Sequence, residues 1–397
     1  MHYLDHAATT PMLPEAMAAV QAELGMVGNP SSVHAAGRRA RRVVEESRET
    51  VAASFGARPS EVVFTSGGSE ADNLAIKGLY WSRQAADPRR VRIITSSVEH
   101  HAVLDPVQWL ADHEGAVLDL LPVDERGRVD PEELRRRIAQ EPGDVALVSV
   151  MWANSEVGTV QPVAECAAVA HEFDVPFHTD AVQAGGQLPV DFVGSGVDAL
   201  TLSAHKLGGP LGVGALLVGK TVSLTPVLHG GGQEREIRSG TLVAPSIAGF
   251  AVASAVVTRD RVARTERLAS LRDRLVAGIL QQVPDAVYNG DPVSDPACRL
   301  PGNAHLSFPG CEGDSLLLLL DAQDIACSTG SACSAGVAQP SHVLLAMGAT
   351  PQVARSSLRF SFGHDSSDAD VDALLAVIVP VVQRARSAAA VAEVRVQ

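Results

Sequence analysis

The sequence predicts an α/β protein with a large domain built on a mainly parallel, seven-stranded sheet and a smaller α/β domain after it. Three observations carry this. From Val62 to Val218, short β-branched runs alternate with helix-like stretches and glycine turns, the texture of a parallel sheet wrapped by helices. After Pro245 the texture becomes mainly helical, with two further strand-like runs. The chain has 397 residues, 46% apolar and 20% charged, with 34 Gly and 23 Pro. That is enough for more than one domain with a sizeable core, and it excludes a disordered or collagen-like chain.

In order, Gly37–Phe55 reads as a long helix in which Arg38, Arg39, Arg41 and Arg42 are followed by Glu45, Glu46 and Glu49, a spacing that predicts a solvated face of paired charges. The seven strand candidates are Glu61–Phe64, Arg92–Thr95, Val117–Leu121, Val145–Met151, Pro176–His178, Ala199–Ser203 and Val213–Val218. Between them, Ala102–Asp112 places Val103, Val107 and Leu110 on one helical face, and Asp130-Pro131-Glu132-Glu133 offers an N-cap, a first-turn proline and early acids. Ser239 to Thr258 is uncharged and as long as a membrane span, but Gly240, Pro245, Ser246, Gly249 and Ser254 favour a buried core helix. Helix to Leu280, strand Asn303–Phe308, helix Gly313–Leu320, strand Ser357–Phe362 and helix Asp368–Arg386 complete the chain.

A net charge of −14 argues against direct nucleic-acid binding, which needs clustered Lys and Arg. The five cysteines form no CxxC pair, so neither a disulfide framework nor a four-ligand zinc site is expected. The first residues lack the basic and apolar regions of a secretory signal, and a cytoplasmic protein with no membrane attachment is the expectation.

The chemistry concentrates at strand ends. Ser203-Ala204-His205-Lys206-Leu207-Gly208-Gly209-Pro210 follows a strand, where a desolvated lysine amine becomes a nucleophile; a solvated surface lysine is the competing account. Asp180 follows the strand ending at His178. Ligands of open parallel sheets sit at the carboxyl ends of strands, so Asp180 and Lys206 can converge on one cofactor. Pyridoxal phosphate needs that pair: its aldehyde condenses with the lysine and its ring nitrogen needs a carboxylate. Phe64-Thr65-Ser66-Gly67-Gly68-Ser69-Glu70-Ala71-Asp72 reads as strand, glycine turn and helix start, an anion site at a helix N-terminus, with Ser69 and Asp72 resembling a capping box. A structural turn is the alternative. His100-His101 lacks the neighbours of a metal set, so no metal is expected, and a single imidazole stacked over a cofactor ring is the more economical use; a solvated loop histidine is the alternative. Arg359 in its strand is a natural bidentate clamp for an α-carboxylate; an exposed strand arginine is the competing account. The small, polar stretch Ala326–Pro340 is expected to be a mobile loop in which Cys333 is an exposed thiol, whereas Cys327 reads as a strand end and Cys166 as a core residue.

In order along the chain, Leu4–Pro11, Gly28–Ser32, Glu99–Leu104, His178–Gln183, Ser203–Lys206, Gly230–Arg235, Arg238–Thr241 and Ser328–Cys333 resemble the pyridoxal-phosphate-dependent cysteine desulfurases of the class V aminotransferase superfamily. The Ser-Thr-Gly-Ser-Ala-Cys loop is similar to the branch typified by IscS and NifS. The resemblance implies fold type I with an N-terminal segment over residues 1–14 joining the small domain, a cofactor-binding domain over 15–245 and a small domain over 246–397. It implies that Lys206 holds pyridoxal 5'-phosphate, that His100 stacks on its ring and moves protons, that Asp180 pairs with the ring nitrogen and that Gln183 bonds the ring hydroxyl. Gly68, Ser69, Ser203 and His205 would hold the phosphate with Thr241 of a second subunit; Asn29, Asn154 and Arg359 would bind the substrate. Cys333 would accept sulfur from L-cysteine as a persulfide, releasing L-alanine, and a homodimer would pass the sulfur to acceptor proteins of iron–sulfur cluster assembly or of tRNA or cofactor thiolation. A class V aminotransferase, a selenocysteine lyase or a non-catalytic cofactor-binding scaffold are the alternative readings. The chain departs from the common pattern at Ser69, at Ser155 after Asn154, and at Cys327.

Overall fold

Val-, Ile- and Leu-rich runs with no polar face have to be covered on both sides, and the computed structural model, which describes residues 1–293, 295–330 and 340–396, places them at the centre of three layers. The seven-stranded sheet has the order Val62–Thr65, Gly214–Val218, Ala199–Ser203, Phe177–Asp180, Val145–Ser149, Arg92–Ser96, Val117–Leu121. Gly214–Val218 runs antiparallel to both neighbours and the other pairings are parallel. Six of the strands are fully buried; the edge strand Val117–Leu121 is half exposed.

One face of the sheet packs against helices Ala35–Ser54, Val163–His171 and Ala244–Arg259, the other against Gly68–Ala86 and His101–Glu114. A separate apolar core is enclosed by helices Arg261–Gln282, Gly313–Asp321 and Asp368–Val396 and the antiparallel sheet of Val287–Tyr288, Asn303–Ser307 and Ser357–Ser361. The helix Ala244–Arg259 sends Ile247, Phe250, Ala253 and Val257 into the sheet's core, and the second core takes its residues from Leu268 onward together with Leu4 from the chain's start. Asp368–Ala390 is long and apolar enough to cross a membrane by length and composition. Val371, Leu374, Ile378, Val382 and Ala385 instead line one side of it, packed in that second core.

The chain's start crosses between the two cores. His2–Tyr3 pairs in parallel with Ile325–Ala326, and Asp5 bridges to Ser361. Of Arg38, Arg39, Arg41 and Arg42 in helix Ala35–Ser54, only Arg42 pairs with one of the acids that follow, Glu46, among the described residues; Arg39 reaches Glu23 at 2.8 Å, and Arg38 and Arg41 donate to the carbonyls of Val33 and Pro30. Arg48 instead turns inward, where both of its terminal nitrogens donate to the buried Glu234 at 2.7 Å and tie the Gly230–Arg238 loop to this helix, while the Phe64 N–H ties Glu234 to the sheet.

Candidate active site

The carboxyl ends of the parallel strands form the floor of a cleft enclosing about 560 Å³, lined by Gly68, Asp180, Gln183, Ser203, His205 and Lys206. Lys206 lies in the short turn Ala204–Lys206 that follows strand Ala199–Ser203. Its Nζ donates to the carbonyls of Ala7 at 2.5 Å and Ala8 at 2.7 Å. Burial pushes its pKa down to about 8 and the nearby Arg359 adds to this, against the opposing pull of Asp5 and Asp180. The amine is therefore neutral, and nucleophilic, for a large fraction of the time near pH 8.

Asp180 ends strand Phe177–Asp180 and accepts from the Val182 N–H at 2.8 Å. Burial raises its pKa, opposed by His100, that N–H and Lys206. His100 caps helix His101–Glu114, its Nδ1 accepting from the Ala102 N–H at 3.0 Å, which leaves Nε2 to carry the proton of the neutral ring. The ring borders the cleft, and the protein around it lowers its pKa by desolvation, with Asp180 opposing and Lys206 assisting.

The anion cradle differs from the expected capping box. Helix Gly68–Ala86 starts with Gly67 as its N-cap and no side-chain cap; Glu70, not Asp72, reaches back to the Ser66 N–H at 2.8 Å, and Asp72 is buried. The first-turn amides at Gly68 and Ser69 thus lack a side-chain acceptor, and an anion would supply one. Gly67 has φ +154°, and a Cβ at Gly214 would lie 2.6 Å from the Leu202 carbonyl and 2.8 Å from Gly67, so glycine is what allows this turn to nest against the strand. His205 donates to or accepts from Thr9 Oγ1 at 3.2 Å; burial, and then Lys206, lowers its pKa to about 4, so it offers a hydrogen bond rather than a charge. A cradle of uncapped amides, a desolvated lysine and a buried carboxylate on one cleft fit pyridoxal phosphate: Lys206 for its aldehyde, Asp180 for its ring nitrogen, Gly68, Ser69, Ser203 and His205 for its phosphate.

A second cavity of about 680 Å³ adjoins the first and shares His100, Ser155, Gln183 and Lys206 with it, adding Ser328 and Arg359. Gln183 donates to the Ala7 carbonyl at 2.9 Å. Arg359 donates to Asp5 Oδ1 at 2.9 Å and to the Ser155 carbonyl at 3.0 Å. Backbone bonds in both directions join it to Ser328, whose segment leads towards Cys333. Cys333 itself lies outside the described residues.

The other expected substrate residues sit elsewhere. Asn154 is 1% exposed, with its amide donating to the Val98 carbonyl and its carbonyl accepting from the N–H groups of Glu156 and Val157; it shapes the turn that presents Ser155 and does not line either cavity. Asn29 is exposed and spends its carbonyl on the Ser31 N–H, and Thr241 is exposed outside both cavities. Among the described residues no cluster of His, Cys, Asp and Glu could hold a metal ion.

Three residues here had no role assigned from the sequence. Asp5 reaches Arg359, Ser155 borders both cavities, and the buried Glu99 accepts from Ser96 at 2.5 Å and from the Met151 N–H at 2.8 Å beneath His100. Burial pushes Glu99 up to about 8. An acid directly before a strand-end histidine was the available signal for Glu99; for Asp5 nothing local existed.

The chain matches the aminotransferase class-V family over residues 2–374. It is 57% identical over 389 residues to a protein of Mycobacterium tuberculosis named IscS-like cysteine desulfurase, covering 98% of each chain. A solved structure of a NifS-like protein superposes with a TM-score of 0.86 at 33% identity, covering 96% of this chain and 99% of the other. The structure of SspA in complex with cysteine does so with a TM-score of 0.78 at 33% identity, over 91% of this chain and 99% of that one. With a floor that suits pyridoxal phosphate and relatives matched along its whole length, the chain belongs to the class-V aminotransferase family, and within it to the cysteine desulfurases of the IscS and NifS type.

Proposed function

We propose that this chain converts L-cysteine to L-alanine and moves the substrate's sulfur onto Cys333 as a persulfide, for delivery to an acceptor protein. The observation that carries this reading is the convergence of Lys206, Asp180 and the uncapped helix start at Gly68 on one cleft, next to a cavity holding Arg359. Pyridoxal phosphate, when bound there, supplies an aldehyde that amines exchange on and a ring that takes up the electron pair left by a departing Cα proton.

The protein's own residues do the rest. Asp180 would hold the ring nitrogen of the bound cofactor through its buried carboxylate. Lys206, with its lowered pKa, takes the substrate's Cα proton and returns one later. Arg359, bordering both Ser155 and the start of the loop at Ser328, orients the substrate carboxylate. The Cys333 thiolate attacks the substrate sulfur: the carbon–sulfur bond breaks, a sulfur–sulfur bond forms, and the carbon fragment takes up a proton to become alanine, so that one thiol and one cysteine give one persulfide and one alanine.

A homodimer belongs to the same reading. Thr241 is exposed, flanked in the chain by Val243 at 56% exposure and preceded by Leu228 at 46%, apolar surface that a second copy would cover while bringing Thr241 to its phosphate site. So does a cytoplasmic location, which the four unpaired thiols among the described residues suit.

The test is to incubate the pyridoxal-phosphate-loaded protein with L-cysteine, trap thiols, locate added sulfur by peptide mass spectrometry and quantify alanine. Persulfide on Cys333 with matching alanine is expected, and Cys333→Ser should stop both. Alanine without persulfide on Cys333 would make the chain a lyase or move the acceptor role to another thiol; neither product would overturn the reading.

A further inference from the structure

Arg359 is held in an incomplete environment. Its side chain is 7% exposed, and it is paired with Asp5, whose side chain is 20% exposed. Nη1 serves the Ser155 carbonyl and Nη2 serves Asp5 Oδ1. The buried Nε has no hydrogen-bond partner among the described residues. A guanidinium binds a carboxylate best through two parallel N–H bonds along one edge. On the Nε–Nη2 edge one donor has no acceptor and the other is given to an aspartate carried on the chain's first strand.

We infer that Asp5 is a specificity-determining placeholder: it occupies Arg359 until an α-amino-acid carboxylate docks on the Nε–Nη2 edge and displaces it. The incoming carboxylate gives Nε its missing acceptor and takes over Nη2, so the guanidinium is better satisfied with substrate than without. Asp5 is the partner that can leave. It is the more exposed member of the pair, and it is anchored through its backbone, by the bridge to Ser361 and the Leu4 bonds to Ala326 and Ser361, rather than through its carboxylate. A ligand without a carboxylate has nothing to exchange for Asp5, so the pair discriminates against simple amines and thiols. The exchange also sets substrate affinity, because every binding event has to break a charged hydrogen bond.

This inference rests on Arg359 being the carboxylate clamp, and the experiment separates the two. Asp5→Asn keeps an acceptor of the same size for Nη2 but removes its charge. In the holoenzyme, KM for L-cysteine should fall roughly fivefold to tenfold, the difference between a charge-assisted and a neutral hydrogen bond. Independently of turnover, labelling of Arg359 by phenylglyoxal, followed by peptide mass spectrometry, should be faster in Asp5→Asn than in the wild type, and L-alanine should protect both. Arg359→Lys, which cannot offer the planar edge, should raise KM at least tenfold. If Arg359→Lys raises KM while Asp5→Asn leaves KM and the labelling rate unchanged, the placeholder role is wrong and the clamp stands. If Arg359→Lys leaves KM unchanged, the clamp fails and the placeholder with it. A circular-dichroism melt of each variant identifies a misfolded Asp5→Asn, in which case the labelling comparison is repeated with Asp5→Ser, where faster labelling is again expected and an unchanged rate again overturns the role.

Discussion

On the floor of the site, Asp180 and Ser203 are the last residues of two strands of the seven-stranded sheet, and Lys206 lies in the turn directly after the second. On its roof, Asp5 and Arg359 meet from positions 354 residues apart, joined by two-residue strands and single bridges. The floor inherits its geometry from a sheet buried on both faces, whereas on the roof Arg359 is fixed in the buried strand Ser357–Ser361 and Asp5 is carried by a short segment held by a handful of backbone bonds such as those of His2, Leu4 and Ser361. Chemistry that needs fixed positions belongs on the first, and recognition that has to open and close on the second. Floor substitutions should therefore act on kcat, and roof substitutions on KM.

The largest effect should come from the floor's amine. Lys206→Ala should lower kcat by roughly 10³ or more, because on the proposed reading it removes both the amine that holds the cofactor and the group that moves the Cα proton. Alanine production within about tenfold of the wild type would remove the lysine from that role. Asp180→Asn keeps shape and one acceptor but not the carboxylate proposed for the ring nitrogen, and should cost roughly 10² to 10³ in kcat with KM little changed. Should its effect appear mainly in KM, the division between floor and roof would break down.

The same contrast decides what could be read from the sequence. Floor residues announce themselves locally, since a lysine or aspartate among small residues after a β-branched run has few structural uses, and the order of all seven strands' runs follows from their composition. The roof has no local signature. Asp5 sits in a short N-terminal stretch whose partner strand, Ile325–Ala326, is only two residues long, and no periodicity can couple them. Asn154 misleads for a related reason. An asparagine in a turn can face a ligand or satisfy backbone groups, and only the fold shows that it bonds Val98, Glu156 and Val157 and leaves Ser155 to border the cavities. The capping box at Ser69 and Asp72 fails because the helix begins two residues earlier than it requires, at Gly68 with Gly67 as the N-cap.

Each region also buries one histidine completely, and burial pushes each down to about 3. Both are neutral in the fold and take up a proton on unfolding, so between pH 6.5 and about 3 the unfolded chain binds more protons and stability is lost as pH falls. They differ in partners. His178, under the floor, is bonded by Ser149 at 2.9 Å and Thr201 at 3.1 Å, whereas His305, beside Arg359, has Asn289 on Nδ1 and no partner on Nε2 among the described residues. At pH 7.5, His178→Gln should cost about 1–3 kcal/mol and His305→Gln less, read from thermal melts. The reverse order would show that the roof, not the floor, carries the tighter polar packing.

The smallest effect is expected from Cys327, and it tests how sharply the roof separates an inert thiol from a working one. Cys327 follows strand Ile325–Ala326, is 8% exposed and packs in the second core. Burial, reinforced by Asp5, pushes its thiol up to about 12. At pH 8 roughly one such thiol in 10⁴ is a thiolate, too few to compete for the substrate's sulfur, since only the thiolate is nucleophilic. Cys327→Ala should leave alanine formation and persulfide yield within about twofold of the wild type, in contrast to the loss expected for Cys333→Ser. If the two variants lose sulfur transfer alike, Cys327 is exposed during turnover, and the wall between the second core and the substrate cavity opens in each cycle.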